Sequence, residues 1–434
     1  MNLESRDVFD RLDDQSQGSK TGTNWPLLVF IFFLPLVNVQ HKLFPPLPGG
    51  INFMNVMFFL SLMGAFWKGG VVNWEKSTNK WMVAFIVYLF ISYLIMLFML
   101  TIPVGRSFNA LKDFVFVISL TFLVQKSITS YKDVKYILFS LLLPLPYVFR
   151  VVFNQYQSVA KYHYSDSLRV NGTMTDLGAN EMGAYLVTAS IVAVVLVFHL
   201  KVEKYWQKGL IYVAVPCAVL SLMYTYSRGA YVSILAAAIV FYFYKKNKGR
   251  LTLILLVLFA ASPMIIPESV YERFSSINSS EEERDESAAS RFVFWEAAFE
   301  KAKSSPIVGY GYRSWSSPEI NTVNMDTHNY FVKTIVEGGA LGILVLIALL
   351  ISISNLARST IRDSQNRLAT GVGIILLCST IGILIGNMFG DRFSHPSMIF
   401  IFFVLCGICI KLNYLADSDT GEKIKKANTS SVFD

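Results

Sequence analysis

The sequence predicts an all-α, polytopic helical membrane protein with about twelve transmembrane helices and a large loop on its outer face. Three observations predict it. Of 434 residues, 53% are hydrophobic, 14% aromatic and only 16% charged, with a mean hydropathy of +0.47, too apolar for a soluble chain of this size. Apolar runs of about 20 residues, the length that crosses a bilayer, recur along the chain. Positive charge collects in alternate connections between those runs, as orientation in a membrane requires. A single soluble domain, a disordered chain and a peripheral anchor are excluded. The net charge of +8 is accounted for by these connections, and no nucleic-acid partner is expected.

Taken in order, residues 1–24 read as a polar tail. Glu4, Asp7, Asp10, Asp13 and Asp14 within it do not suit a cleavable signal peptide. Residues 25–413 read as the membrane domain, with spans at 25–40, 50–67, 81–102, 107–125, 135–153, 179–200, 208–225, 228–244, 251–267, 329–354, 368–389 and 397–413. Residues 414–434 form a second tail. Lys68, Lys76 and Lys80, then Lys126, Lys132 and Lys135, then Lys201, Lys204 and Lys208, then Lys245, Lys246, Lys248 and Arg250, then Arg358, Arg362 and Arg367 occupy alternate connections. These connections and both tails are therefore expected in the cytoplasm.

The opposite face receives two longer segments, 154–178 and 268–328. In the second, Phe292, Trp295 and Phe299 recur at helical spacing. They predict an amphipathic helix at the outer interface, stopped by Ser304-Ser305-Pro306. The four cysteines, Cys217, Cys378, Cys406 and Cys409, all fall in apolar runs. Cys406 and Cys409 have C-x-x-C spacing without the βαβ setting that gives it redox meaning, so packing is expected.

Charged residues in short outer connections break the positive-inside pattern. Arg228 stands in Tyr226-Ser227-Arg228-Gly229-Ala230, the only break between two spans, and Arg392 follows Asp391 at the outer end of another. A cation at a helix centre costs about 2.5–3.5 kcal/mol on insertion scales, less near the interface, so such positions are functional candidates by default. The plainer alternatives are a snorkelling Arg228 and an Arg392 paired with Asp391. Arg169 and Arg291 add two further outer-face guanidiniums. Arginine suits bidentate capture of phosphate oxygens, so convergence of Arg169, Arg228 and Arg291 would make an anion pocket; ordinary solvent exposure of Arg169 and Arg291 is the alternative. His328-Asn329 marks the entry from the long loop into the next span. A neutral imidazole can take a proton from a sugar hydroxyl, although a lone interfacial histidine is more often structural. Gly338 and Gly342, four residues apart, permit close helix approach.

Ser227-Arg228-Gly229-Ala230, Arg291 to Trp295 leading to Pro306-Ile307-Val308-Gly309-Tyr310-Gly311, and His328-Asn329 followed, after nine intervening residues, by Gly339-x-x-Gly342 together resemble the O-antigen ligase/polymerase superfamily (WaaL and Wzy type). The resemblance is best over about 165–345. It implies an inverting, metal-independent glycosyltransferase of the bacterial inner membrane, without cofactor. Its donor would be an undecaprenyl-pyrophosphate-linked glycan on the periplasmic face. The acceptor would be lipid A-core, for a ligase, or a second lipid-linked glycan, for an O-antigen or exopolysaccharide polymerase; the ligase is the closer match. The resemblance also implies that His328 is the general base, that Arg228 and Arg291 bind pyrophosphate with Arg169 as a looser match, and that Asn329 and Asp391 support the site. No G-x-x-x-x-G-K loop is present, consistent with energy drawn from the lipid–pyrophosphate bond. A transporter is the rival class, kept open by Lys112-Asp113 and Arg150. Transporters usually gather their binding residues at the bilayer midplane, whereas here the ionisable outliers gather at one face.

Overall fold

The structure is a computed structural model that describes residues 22–45, 51–100, 104–158, 169–174, 177–202, 204–244, 248–249, 252, 286–364 and 366–430. The chain is helical: α1 Trp25–Phe33, α2 Val37–Leu43, α3 Phe53–Lys68, α4 Ser77–Met99, α5 Val104–Ser127, α6 Tyr131–Leu142, α7 Leu145–Gln157, α8 Ala179–His199, α9 Tyr205–Met223, α10 Arg228–Tyr244, α11 Glu286–Ala302, α12 Tyr330–Asp363, α13 Arg367–Met388 and α14 Pro396–Ser430. Every expected span except 251–267, of which only residue 252 is described, contains a helix. Among the described residues, eight helical segments are long and apolar enough to cross a membrane, or nine if the bent pair α1–α2 is one span, while α3 and α10 are shorter apolar helices. Much of 154–178, and 268–285 of the second loop, also lie outside the described residues.

Two spans depart from the single helices expected. The 25–40 run is broken by a 115° bend between α1 and α2, because Pro35 cannot continue a helix. The freed carbonyls need partners in an apolar setting. Gln40 Nε2 donates to Phe33 O at 2.6 Å and Leu34 O at 3.1 Å, and Thr173 Oγ1 donates to Pro35 O at 2.7 Å. The 135–153 run begins earlier, at Tyr131, and crosses Pro144 to end at Gln157. Its start is fixed by Ser130 and Asp133, which cap one another's backbone N–H, and Asp133 also receives the buried Lys68 ammonium at 2.8 Å.

The core is built around α13 and the Pro396–Leu415 part of α14, apolar and largely enclosed. α13 packs against α8, α10, α12 and α14, and α14 against α5. Glycines let them approach: Gly382 faces Val187 on α8, and Gly373 faces the backbone and side chains of α12. The four cysteines are free and buried, as expected of packing residues.

α12 is interrupted at Gly339, whose φ of 57° and ψ of −156° lie in a region essentially reserved for glycine. Residues 306–311 fill the break. Tyr310 N and Gly311 N donate to Val336 O and Glu337 O at 3.0 and 2.8 Å, while Ala340 N and Leu341 N donate to Pro306 O and Ile307 O at 2.8 and 3.0 Å. The Pro306–Gly311 motif thus supplies the backbone partners that the helix break leaves unmet. Gly338 and Gly342 do serve close approach, both lying against the Tyr88 hydroxyl of α4.

Candidate functional site

At the N-terminus of α10, the turn Thr225-Tyr226-Ser227 ends in Arg228. Tyr226 is fully buried with φ of 50°, so the turn is held from inside. Gly183 on α8 lies against Thr225, Ser227 and Ala230, and Gly229 against Phe389 beyond α13. Asn180, in the first turn of α8, joins two expected parts of the site: its Oδ1 accepts from Arg169 Nη2 at 2.5 Å and from Ser227 Oγ at 2.9 Å. The strand of chain carrying Arg169 is fixed in turn by Gln155, which exchanges hydrogen bonds with Gly172 N at 2.8 Å and Gly172 O at 3.1 Å.

The other wall comes from α11 and the start of α12. Trp295 Nε1 donates to Thr327 O at 2.8 Å, fastening the helix that carries Arg291 to the residue before His328. Asn329 caps α12, its Oδ1 accepting from Phe331 N at 3.0 Å and Val332 N at 3.3 Å. Thr327 Oγ1 donates to Asn329 O at 3.0 Å. His328 is therefore held between two anchored neighbours, in a left-handed conformation with φ of 49° that a non-glycine residue seldom adopts.

Arg169, Arg228, Arg291 and His328 line one cavity of about 540 Å³, with Asn180, Ser227 and Arg392. Arg169 Nε is buried there without a hydrogen-bond partner. Val187, Val232, Ile383 and Phe389 form its apolar side. Burial pushes the His328 imidazole below its ordinary pKa, Arg291 and Arg392 push the same way, and Asp326, 4.0 Å from Nδ1, opposes them. At neutral pH the ring is a neutral base beside a positively charged pocket.

The expected Arg392–Asp391 pair does not form. Arg392 pairs with Glu181 on α8, whereas Asp391 pairs with Lys333 of α12 at 2.7 Å. Adjacent side chains here leave opposite sides of the backbone, which Asn387 Oδ1 fixes by accepting from Arg392 N and Phe393 N at 2.9 and 3.0 Å. Asp391 consequently lines a second cavity of about 270 Å³ rather than the arginine-lined one. Arg392, Asn180 and Ser227 are pocket residues given no role in the sequence reading; the short outer connection was the signal for Arg392, Ser227 stands in the motif that carries Arg228, and nothing in the linear sequence marks Asn180.

On α11 the buried face is Phe294, Ala298 and Ala302, and Phe292 and Phe299 are exposed. The helix is amphipathic in the sense expected, with these aromatic residues turned away from the protein. Of the residues that kept a transporter open, Lys112 and Asp113 stand 3.5 Å apart and Arg150 is exposed.

Residues 213–347 match the family model described as O-antigen ligase. An uncharacterized protein of Haemophilus influenzae is 21% identical over 196 residues, 40% of this chain and 49% of that protein. Exopolysaccharide production protein ExoQ of Rhizobium meliloti is 30% identical over 110 residues, 21% of this chain and 25% of that protein. The chain thus matches about half the length of one relative and a quarter of the other. The matched segment contains Arg228, Arg291 and His328, and the resemblance to the O-antigen ligase/polymerase superfamily holds.

Proposed function

We propose that the protein transfers a glycan from undecaprenyl pyrophosphate to a sugar hydroxyl, as an O-antigen ligase acting on lipid A-core. The observation that carries this reading is the meeting of four guanidiniums with a neutral histidine in one cavity that also has an apolar side. Such a cavity suits a di-anionic headgroup on an isoprenoid chain. In the reaction, His328 takes the proton from the acceptor hydroxyl, the oxygen attacks the anomeric carbon, and the bond to pyrophosphate breaks. The pyrophosphate leaves with the electron pair, opposed by Arg228 and Arg291, with Arg169 and Arg392 beside them. A single displacement inverts the anomeric centre. The donor is already activated, so charge stabilisation and one base suffice, with no metal step required. Asn329 holds His328 in place through its cap of α12, and Asp391 acts from the neighbouring cavity.

In this reading the chain crosses the bacterial inner membrane about twelve times, with residues 1–24 and 414–434 in the cytoplasm and the segments 154–178 and 268–328 in the periplasm. The alternation of basic connections supports that orientation. A repeat-unit polymerase is the second reading, favoured by the similarity to the exopolysaccharide production protein. A deletion strain separates the two. Loss of a ligase leaves bare lipid A-core while full-length chains accumulate on the carrier lipid. Lipid A-core bearing a single repeat would replace the ligase by an O-antigen polymerase. Unchanged lipopolysaccharide with a missing secreted polymer would replace it by an exopolysaccharide polymerase.

A further inference from the structure

The second cavity, of about 270 Å³, lies among α4, α5, α12 and the loop before α14. It adjoins the arginine-lined cavity closely. His328 lines one and Tyr330 the other, and Arg392 lines one and Asp391 the other, so two short pieces of chain are shared as a wall. Its chemistry differs. Asp113, Glu337 and Asp391 stand against Lys333, Arg313 and His395, and Lys333 and Asp391 already pair. The cavity has no excess of positive charge, and a pyrophosphate would be unfavourable there.

What it offers is a dense set of hydroxyl-binding groups with ring faces beside them. Tyr88, Tyr312 and Tyr330 line it together with Glu337 and Asp113. Asp113 Oδ1 is buried, with the Lys112 ammonium 3.5 Å away and no hydrogen bond at closer range, so it keeps capacity to accept from a donor inside the cavity. Carboxylates accept strongly from hydroxyls and tyrosines present both a face and an O–H. The volume falls just below the range of about 300–1,000 Å³ used by drug-sized ligands, enough for one monosaccharide and not for a glycan chain.

We propose that this cavity is the subsite for the acceptor sugar, which it presents as a neutral or amino-bearing ring whose attacking hydroxyl reaches past Tyr330 to His328. The proposal rests on the transferase reading above. It gives the two substrates separate entrances sorted by charge: the pyrophosphate donor on the arginine side and the hydroxyl-bearing acceptor on the carboxylate side. Attack from a cavity across the wall from the leaving group is also what inversion requires.

The test uses the full chain in proteoliposomes, with radiolabelled lipid-linked glycan as donor and lipid A-core or unlabelled lipid-linked glycan as acceptor. Affinity for undecaprenyl pyrophosphate is measured separately by displacement. Ala110→Trp fills the cavity from α5, and Glu337→Gln weakens one acceptor group while keeping its shape. Both variants should raise the KM for the acceptor on the order of tenfold while the affinity for undecaprenyl pyrophosphate stays at the wild-type value. If Ala110→Trp misfolds, Glu337→Gln decides alone. An unchanged acceptor KM, or an equal loss of undecaprenyl pyrophosphate affinity in Glu337→Gln, would overturn the subsite while leaving the transferase reading intact. Wild-type protein that binds undecaprenyl pyrophosphate yet transfers to neither acceptor would overturn both.

Discussion

The Lys333 ammonium lies 2.7 Å from the Asp391 carboxylate, with side-chain exposures of 18% and 5%, and so ties α12 to the loop between α13 and α14. Ser394 Oγ donates to the other Asp391 oxygen at 2.5 Å. Against the opposing effect of burial, Lys333, then His395, and these hydrogen bonds hold Asp391 well below the usual carboxylate range. Because the folded value is depressed, the contribution of the pair is fully present above the unfolded carboxylate value of about 4 and is lost only as pH falls towards the folded value. Lys333→Met should leave a buried, uncompensated carboxylate and destabilise the protein by about 3–5 kcal/mol. Equilibrium unfolding in detergent checks this, and Lys333→Met with Asp391→Leu should recover part of the loss.

The pH profile of transfer follows from His328. Burial, with Arg291 and Arg392, places its titration below the ordinary histidine value near 6.5. The neutral ring is the base, so the rate should rise with pH through a midpoint below that value and be flat at neutrality. Asp326, and to a lesser extent Glu181, act in the opposite direction and raise it. Asp326→Asn should move the midpoint further down, measured as initial rate against pH at saturating substrates.

Arg228 separates charge from geometry. Arg228→Ala should lower transfer by on the order of 10²–10³, as for the loss of one electrostatic donor to a leaving group, and Arg228→Lys, which keeps the positive charge but loses the forked contact, should impair it less. Membrane-inserted protein of equal amount, assayed for transfer of labelled glycan, gives the comparison.

The break in α12 can be tested without chemistry. Gly339→Ala places a side chain at φ 57° and against the Ile307 carbonyl, and should cost at least about 1–3 kcal/mol. Gly338→Ala meets the Tyr88 hydroxyl. Adding Tyr88→Phe should rescue Gly338→Ala but not Gly339→Ala in thermal unfolding.

Helical spans were legible because a bilayer-length apolar run says nearly the same thing in sequence and in structure, and Arg228, Arg291 and His328 stood out because charge or imidazole at a span end needs a reason. Bends were harder to read. The turn after α1 depends on Gln40 and on Thr173, 138 residues from Pro35, and no local pattern carries such a partner. The division of Asp391 from Arg392 was illegible for a similar reason. Their partners, Lys333 and Glu181, come from different helices, and linear adjacency invited the opposite pairing. Lys333 and Glu337, a charged i, i+4 pair just after His328-Asn329, carried a readable signal for the second cavity in the rarity of charge within an apolar helix.

The central claim, that His328 serves as the base in glycan transfer from a lipid-linked pyrophosphate, is tested most directly by isotope-labelled transfer in membranes carrying wild-type or His328→Ala protein at matched levels. The account predicts transfer by the wild type and a loss of roughly 10²–10⁴ in rate for His328→Ala, as for removal of a general base, with affinity for undecaprenyl pyrophosphate retained. Normal transfer by well-inserted His328→Ala protein would contradict it.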